Sequence, residues 1–112
     1  MGAANYIFAN TGQLVRLVVQ TVGADGYLSD GYNPPVVESV IYPDLSIAAG
    51  YPRNMTRLDT GLYASGLLLP EGDEGLGTYI ANVYWYENGQ RKNEAFAIVA
   101  ARPFGISSVS PI

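Results

Sequence analysis

Apolar and polar residues alternate along several short stretches of this chain, which is the periodicity of a β-strand with one buried face. In the segment 13–22 one face consists of Val15, Leu17 and Val19, and the opposite face consists of Leu14, Arg16, Val18 and Gln20. The segment 36–42 alternates in the same way and ends at Pro43, which cannot continue a ladder of hydrogen bonds. Both segments predict half-buried strands.

Turn-forming residues separate these stretches. The Asp-Gly pairs at 25–26 and 30–31, with the Asn-Pro-Pro at 33–35, predict a loop between the first two strands. The segment 44–50 is compatible with one helical turn or with a short strand and a bend, and the sequence leaves both open.

The second half of the chain repeats this organisation. Two short strands, 55–58 and 62–69, are predicted around the turn 59–61, and an acidic loop with several glycines follows. Asn88-Gly89 then lies between two long alternating arms, 78–87 and 90–101, and this dipeptide adopts the positive φ angles that a type I′ hairpin turn requires.

These segments amount to about seven short strands with a turn signal roughly every ten residues, which is typical of a β-sandwich. A closed barrel is the alternative architecture. The chain has 112 residues with 13 glycines, 7 prolines and 9 tyrosines, a composition that favours an extended chain with many turns. We therefore predict a single all-β domain.

Composition excludes several classes of chemistry. The chain has no cysteine and no histidine, so disulfides, thiol nucleophiles and histidine-based triads are absent. Ten acidic against six basic residues give a net charge of −4, which argues against nucleic acid as a partner. The N-terminal residues 1–8 lack the basic start and long apolar stretch of a secretion signal, and no apolar run approaches the roughly 20 residues needed to cross a bilayer.

Acidic residues are the remaining candidates for chemistry. Glu71, Asp73 and Glu74 lie in one loop and could bind calcium through their carboxylate oxygens, although a solvated loop tip is the reading we favour. The carboxylates lie mainly in turns, which argues against a glycosidase pair held across a cleft, and no phosphate-binding glycine loop is present. We expect no catalytic residue, no cofactor and no metal site.

Apolar residues in unusual places indicate partner surfaces instead. Tyr84 and Tyr86 share one face of the first hairpin arm, which is either packed in the core or turned outward, where aromatic side chains commonly anchor protein interfaces. The terminal segments 1–12 and 102–112 contain one charged residue between them, and we predict that they are arms flanking a sandwich domain of residues 13–101. Their large apolar residues are Tyr6, Ile7, Phe8, Phe104, Ile106, Val109 and Ile112. The arms could dock on their own domain as edge strands or on a neighbouring subunit by strand addition, and we favour the neighbour for at least one of them.

Two short motifs resemble features of known sandwich domains. Asp59-Thr60-Gly61-Leu62-Tyr63 resembles the tyrosine corner of immunoglobulin-type domains, and Gly77-Thr78-Tyr79 repeats its glycine and tyrosine. In both, the glycine allows a tight entry into a strand, and the tyrosine is expected to bury its ring while its hydroxyl bonds a nearby backbone group. Ser65 stands where such domains usually have their second cysteine, so the chain is similar to the disulfide-free immunoglobulin-like or macroglobulin-like class.

In general character the chain also resembles accessory structural proteins of tailed-bacteriophage particles. That resemblance implies a virion protein made in the host cytoplasm, which decorates the capsid or builds the neck or tail. It further implies binding without catalysis, with other virion proteins and copies of itself as partners in a homo-oligomeric assembly. The alternative is a ligand- or carbohydrate-binding sandwich module of an adhesin-like protein.

Overall fold

The computed structural model describes residues 5–102, which form eight strands in two sheets. The strands are β1 (Asn5–Asn10), β2 (Leu14–Gln20), β3 (Val36–Ile41), β4 (Arg53–Asn54), β5 (Thr56–Asp59), β6 (Leu62–Leu68), β7 (Gly77–Glu87) and β8 (Gln90–Ala101). A single 3₁₀ turn, Gly72–Gly75, lies between β6 and β7.

The two sheets have different sizes. The larger has the order β1-β8-β7-β3-β4 and the smaller has the order β2-β6-β5. The prediction of an all-β sandwich is confirmed, with eight strands where about seven were expected. The closed barrel is wrong, because the two sheets do not join.

The core lies between the sheets and is built by the alternation seen in the sequence. In β2 the side chains of Val15, Leu17 and Val19 are almost fully buried, and their neighbours along the strand are exposed. Tyr79 and Ile98 are the largest fully buried side chains of the β7–β8 hairpin. The predicted hairpin is confirmed, since Asn88 and Gly89 have φ angles of 53° and 79°.

The N-terminal segment is part of the sandwich. Residues 5–10, which the sequence analysis assigns to an arm, form β1 and pair in parallel with β8 of the same chain. The segment therefore docks on its own sheet as an edge strand, which is one of the two placements that the sequence leaves open for the arms. The segment beyond Arg102, with Phe104, Ile106, Val109 and Ile112, lies outside the described residues.

The structure also resolves the segment 44–50. A carboxylate oxygen of Asp44 accepts hydrogen bonds from both the backbone N–H and the hydroxyl of Ser46. Leu45 adopts a φ of 73°, and Ile47 forms an isolated antiparallel bridge to Ile41. The segment is consequently a turn that returns to the edge of the larger sheet, and it contains no helical turn.

Candidate functional site

An apolar row runs across β1, β8, β7 and β3 on the outer face of the larger sheet. The strand register places Tyr6 beside Ala97, Ala97 beside Ile80, and Ile80 beside Ile41. The bridge from Ile41 to Ile47 extends the row beyond β3. Directly opposed residues of a sheet share one face, and the alternate residues of these strands are buried in the core, so this row faces outward.

A second pair widens the row at the β1 edge. Phe8 lies beside Val99, and the two largest side chains of β1 are strongly exposed, Tyr6 at 68% and Phe8 at 77%. Ile47 at the opposite end is 72% exposed. We call these seven residues the outer apolar face: Tyr6, Phe8, Ile41, Ile47, Ile80, Ala97 and Val99. Tyr6, Phe8 and Ile47 are the exposed members of this face, Ile41, Ile80 and Val99 are half-buried, and Ala97 is buried. Large exposed apolar side chains on one sheet face are typical of an interaction surface.

Charged side chains occupy the end of the same sheet face that lies near the β7–β8 turn. Arg91 forms an ion pair with Glu38 at 3.2 Å, and its guanidinium carbon lies 3.9 Å from the centre of the Tyr84 ring. Tyr84 also contacts Tyr86 edge to face, with ring centres 6.2 Å apart. The outer face is thus divided into a polar half near the β7–β8 turn and an apolar half near β1.

The predicted interface residues take different positions within this arrangement. Tyr6 and Phe8 belong to the outer apolar face, whereas Ile7 points inward and packs against the core. Tyr84 is half-buried beneath Arg91, and Tyr86 remains exposed. The structure therefore brings together Tyr6 and Phe8 on one surface and separates them from Tyr84 and Tyr86.

A groove of about 770 Å³ opens at the end of the sandwich where the β2–β3 loop meets the β7–β8 turn. Its aromatic lining comes from Tyr32, Tyr84, Trp85 and Tyr86, and Asn33, Asn54 and Asn88 contribute amide groups. Tyr32 is fully exposed, and the only charged lining residues are the acidic Asp30 and Glu87. Aromatic rings with a few amides can bind a neutral polar ligand.

Asp30 holds the wall of this groove in place. One carboxylate oxygen accepts hydrogen bonds from the Gly61 backbone N–H at 2.7 Å and from the Tyr63 hydroxyl at 3.2 Å. The other oxygen accepts from Nε of Arg57 at 2.9 Å. The Gly61 hydrogen bond, followed by the hydrogen bond and charge of Arg57, lowers the pKa of Asp30 below its ordinary value. This carboxylate anchors the β2–β3 loop to the β5–β6 turn.

The tyrosine-corner prediction for residues 59–63 is wrong about the partner of the tyrosine hydroxyl. Tyr63 is buried as expected, but its hydroxyl donates to the side chain of Asp30 and not to a backbone group. Gly61 has a φ of 66° and makes the predicted tight turn, while Asp59 accepts a hydrogen bond from the Thr60 N–H next to it. The same expectation is confirmed at Tyr79, whose hydroxyl donates to the Gly75 carbonyl at 2.9 Å.

The acidic loop does not gather its carboxylates around one point. Asp73 forms an ion pair with Arg102, and residues 5–102 contain no group of three side chains that could hold a metal ion. Glu71 lies instead against Gly12, where its Cγ would be 2.8 Å from an added Cβ.

Sequence reasoning missed Asp30 and the row through Ile80, Ile41 and Ile47. Asp30 precedes a glycine, which reads as an ordinary turn, and its partners lie about 30 residues away. The apolar row could not be predicted because it depends on the register of four strands, and the register does not follow from any single segment.

Comparison of the chain with protein-family models, curated proteins and solved structures found no match. Among residues 5–102, no helix has the length and apolar character that a membrane span requires.

Proposed function

We propose that this protein is a non-enzymatic structural component of a tailed-bacteriophage particle, part of the capsid decoration, neck or tail. The observation that supports this function is the outer apolar face, where Tyr6 and Phe8 expose large aromatic rings on a regular sheet. The phage assignment itself comes from the general character of the chain. Copies of the protein and other virion proteins are its partners.

Binding through this face follows from the hydrophobic effect. A single fully buried Phe or Leu side chain contributes about 1.5–3 kcal/mol relative to an exposed one, and aromatic anchors dominate the energetics of many interfaces. Symmetry repeats each contact many times in a particle, so a modest affinity per copy is sufficient for stable incorporation. The sheet fixes the backbone that carries these rings, which limits the entropy lost on binding.

The test uses the phage or prophage whose genome encodes the chain. Mass spectrometry of purified virions should detect the wild-type protein at many copies per particle. The variant Phe8→Lys replaces an exposed ring of the face with a charge, and it should leave the fold intact but reduce incorporation at least about tenfold. The matched control is Tyr27→Lys, because Tyr27 is equally exposed but lies in the β2–β3 loop. Virions that lack the wild-type protein would overturn the proposal.

A carbohydrate-binding module is the second candidate, and the groove favours it. Tyr32 offers a fully exposed ring at a groove that Asn33 and Asn54 also line, and no lining residue is a base that would select an anion. A glycan array followed by calorimetry tests this function with the full chain. Tyr32→Ala should abolish a specific interaction while Phe8→Lys preserves it, and an array without any bound neutral glycan would count against this candidate.

A further inference from the structure

The larger and smaller sheets each end in two edge strands, and an exposed edge is a template for pairing with another chain. The edges of the described chain are β1 and β4 in the larger sheet and β2 and β5 in the smaller sheet. These four strands differ in how strongly their features discourage pairing with another chain.

Three of these edges have features that limit pairing. Strand β4 is two residues long. Strand β5 contains a register shift between Arg57 and Asp59, and both residues are charged. In β1 the backbone N–H of Asn10 is already bound by the side-chain oxygen of Gln13 at 2.9 Å. Short length, charges and bulges discourage the addition of a further strand. The hydrogen bond from Asn10 to Gln13 occupies one backbone donor of β1.

Strand β2, with seven residues, is the longest of the four edges. It pairs with β6 over all seven residues without a register shift, and among residues 5–102 no strand covers its other side. It contains one charged residue, Arg16, and no proline. Both of its faces are partly apolar, with Leu17 in the core and Leu14 and Val18 exposed.

The hydrogen bonds at the two ends of β2 show which of its backbone groups pair with β6 and which point away from the sheet. The Leu69 N–H donates to the Gln13 carbonyl, and the Thr21 N–H donates to the Gly61 carbonyl. In an antiparallel ladder, hydrogen-bonded and non-hydrogen-bonded pairs alternate, so the odd-numbered residues of β2 bond to β6. The even-numbered residues direct their N–H and C=O groups away from the sheet: Leu14, Arg16, Val18 and Gln20.

We propose that two copies of this protein pair through β2, antiparallel and about a two-fold axis at Val18, to form one continuous six-stranded sheet. In this register Val18 faces its own copy, and Arg16 faces Gln20 of the second copy. About six backbone hydrogen bonds then join the edges, because each of three opposed pairs exchanges two bonds. The neighbouring register, with Arg16 opposite Arg16, is disfavoured because like charges directly opposite one another repel.

A second copy fits this edge because the strand is complementary to itself. The apolar Val18 meets an identical side chain at the axis, and the single cation meets an amide. Isologous pairing of this kind needs no other partner and closes at two copies. The dimer does not use the outer apolar face, so it can form or fail independently of the proposed role in a particle.

The first experiment is light scattering of the full chain after size-exclusion chromatography over a range of concentrations. The wild type should reach twice the 12.0 kDa of one chain. Val18→Lys and Val18→Asp should each weaken the dimer at least about tenfold, because each opposes like charges at the axis, and an equimolar mixture should restore it. Val18 is 43% exposed and outside the core, so these variants keep the fold, which circular dichroism verifies. Thr56→Lys, on β5 of the same sheet, is the matched control and should remain dimeric.

The second experiment tests the register directly. The chain has no cysteine, so Val18→Cys introduces one thiol per copy, and the Cα separation of about 5.5 Å expected for an opposed pair allows a disulfide. Mild oxidation should cross-link Val18→Cys into a dimer and leave Thr56→Cys monomeric on non-reducing gels. A wild-type monomer at all concentrations, or a dimer that neither Val18 charge variant weakens, would overturn the inference.

Discussion

The hydroxyl of Tyr79 donates a hydrogen bond of 2.9 Å to the carbonyl oxygen of Gly75, four residues earlier in the chain. The bond ties the first residues of β7 to the 3₁₀ turn before it, and both Tyr79 and Gly75 are buried. Tyr42 packs edge to face on the same ring, with centres 5.8 Å apart. The corner therefore joins β7, the end of β3 and the connection between the two sheets.

Removing this hydroxyl should destabilise the protein. In Tyr79→Phe the buried carbonyl of Gly75 loses its partner, and leaving a buried polar group unpaired costs about 1–3 kcal/mol. Urea denaturation followed by fluorescence measures the loss in the free energy of unfolding. Tyr86→Phe is the control, because that ring is exposed, and it should change the unfolding free energy by less than about 0.5 kcal/mol. Equal effects of the two variants would contradict a structural role for the corner bond.

Two glycines of the same turn should respond to alanine for different reasons. At Gly75 an added Cβ would lie 2.0 Å from the carbonyl oxygen of Pro70, so the backbone itself must move. At Gly72 nothing lies within 4 Å of the added carbon, but its φ of 73° is unfavourable for alanine. We expect Gly75→Ala to cost at least about 3 kcal/mol and Gly72→Ala about 1 kcal/mol. Thermal unfolding of the two variants under one condition distinguishes a steric cost from a conformational one.

Local sequence signals were sufficient to predict the elements that depend on residues close together in the sequence. The alternation of 13–22 predicted the half-buried strand β2, and Asn88-Gly89 predicted the hairpin turn, because each depends on residues within a few positions. The assignment of all-β architecture followed from the number of such elements.

Contacts between distant segments could not be derived in the same way. The parallel pairing of β1 with β8 joins residues about 90 positions apart, and nothing in the segment 5–10 distinguishes its own sheet from that of a neighbour. The tyrosine at position 63 looked like the corner because its local motif was more complete, yet the corner bond belongs to Tyr79. A motif predicts a tight turn, whereas the partner of a hydroxyl depends on tertiary structure.

Protonation of Asp30 should make the loop anchor pH-sensitive. Its pKa is lowered in the folded protein, chiefly by the Gly61 N–H and then by Arg57, so its contribution to stability is fully present above the ordinary value of 3.8 and is lost as the pH falls through the folded pKa. Asp30→Asn should therefore lower the unfolding midpoint at pH 7 and reduce its fall in acid. Arg57→Met should have a smaller effect, because it leaves the Gly61 hydrogen bond intact. Chemical denaturation between pH 2 and 7 provides the comparison, and a steeper acid profile for Asp30→Asn would contradict this assignment.

Trp85 should tolerate replacement by phenylalanine unusually well. Its ring packs against the core, but its buried Nε1 donor has no hydrogen-bond partner among the described residues. Trp85→Phe loses some apolar contact and also removes a donor whose unpaired burial costs about 1–3 kcal/mol, so we expect a net cost below about 1.5 kcal/mol. Trp85→Ala, which leaves a cavity, should cost about 3 kcal/mol. Calorimetric unfolding of both variants checks the difference, and a Trp85→Phe cost equal to that of Trp85→Ala would show that the indole N–H is satisfied in solution.

The change of stability with pH that we expect from Glu94 is opposite in sign to the change expected from Asp30. It is half-buried in β8 opposite the core residue Val83, and burial raises the pKa of its carboxyl above the ordinary value of 4.5. The folded state therefore favours the protonated form, so the group's favourable contribution is complete below pH 4.5 and is lost as the pH rises through the folded pKa. Glu94→Gln, which resembles the protonated form, should raise the unfolding temperature at pH 7 and leave it unchanged near pH 3. Differential scanning calorimetry at the two pH values measures both effects. An equal stabilisation at pH 3 and pH 7 would mean that the gain comes from packing and that burial of the carboxylate charge has no part in it.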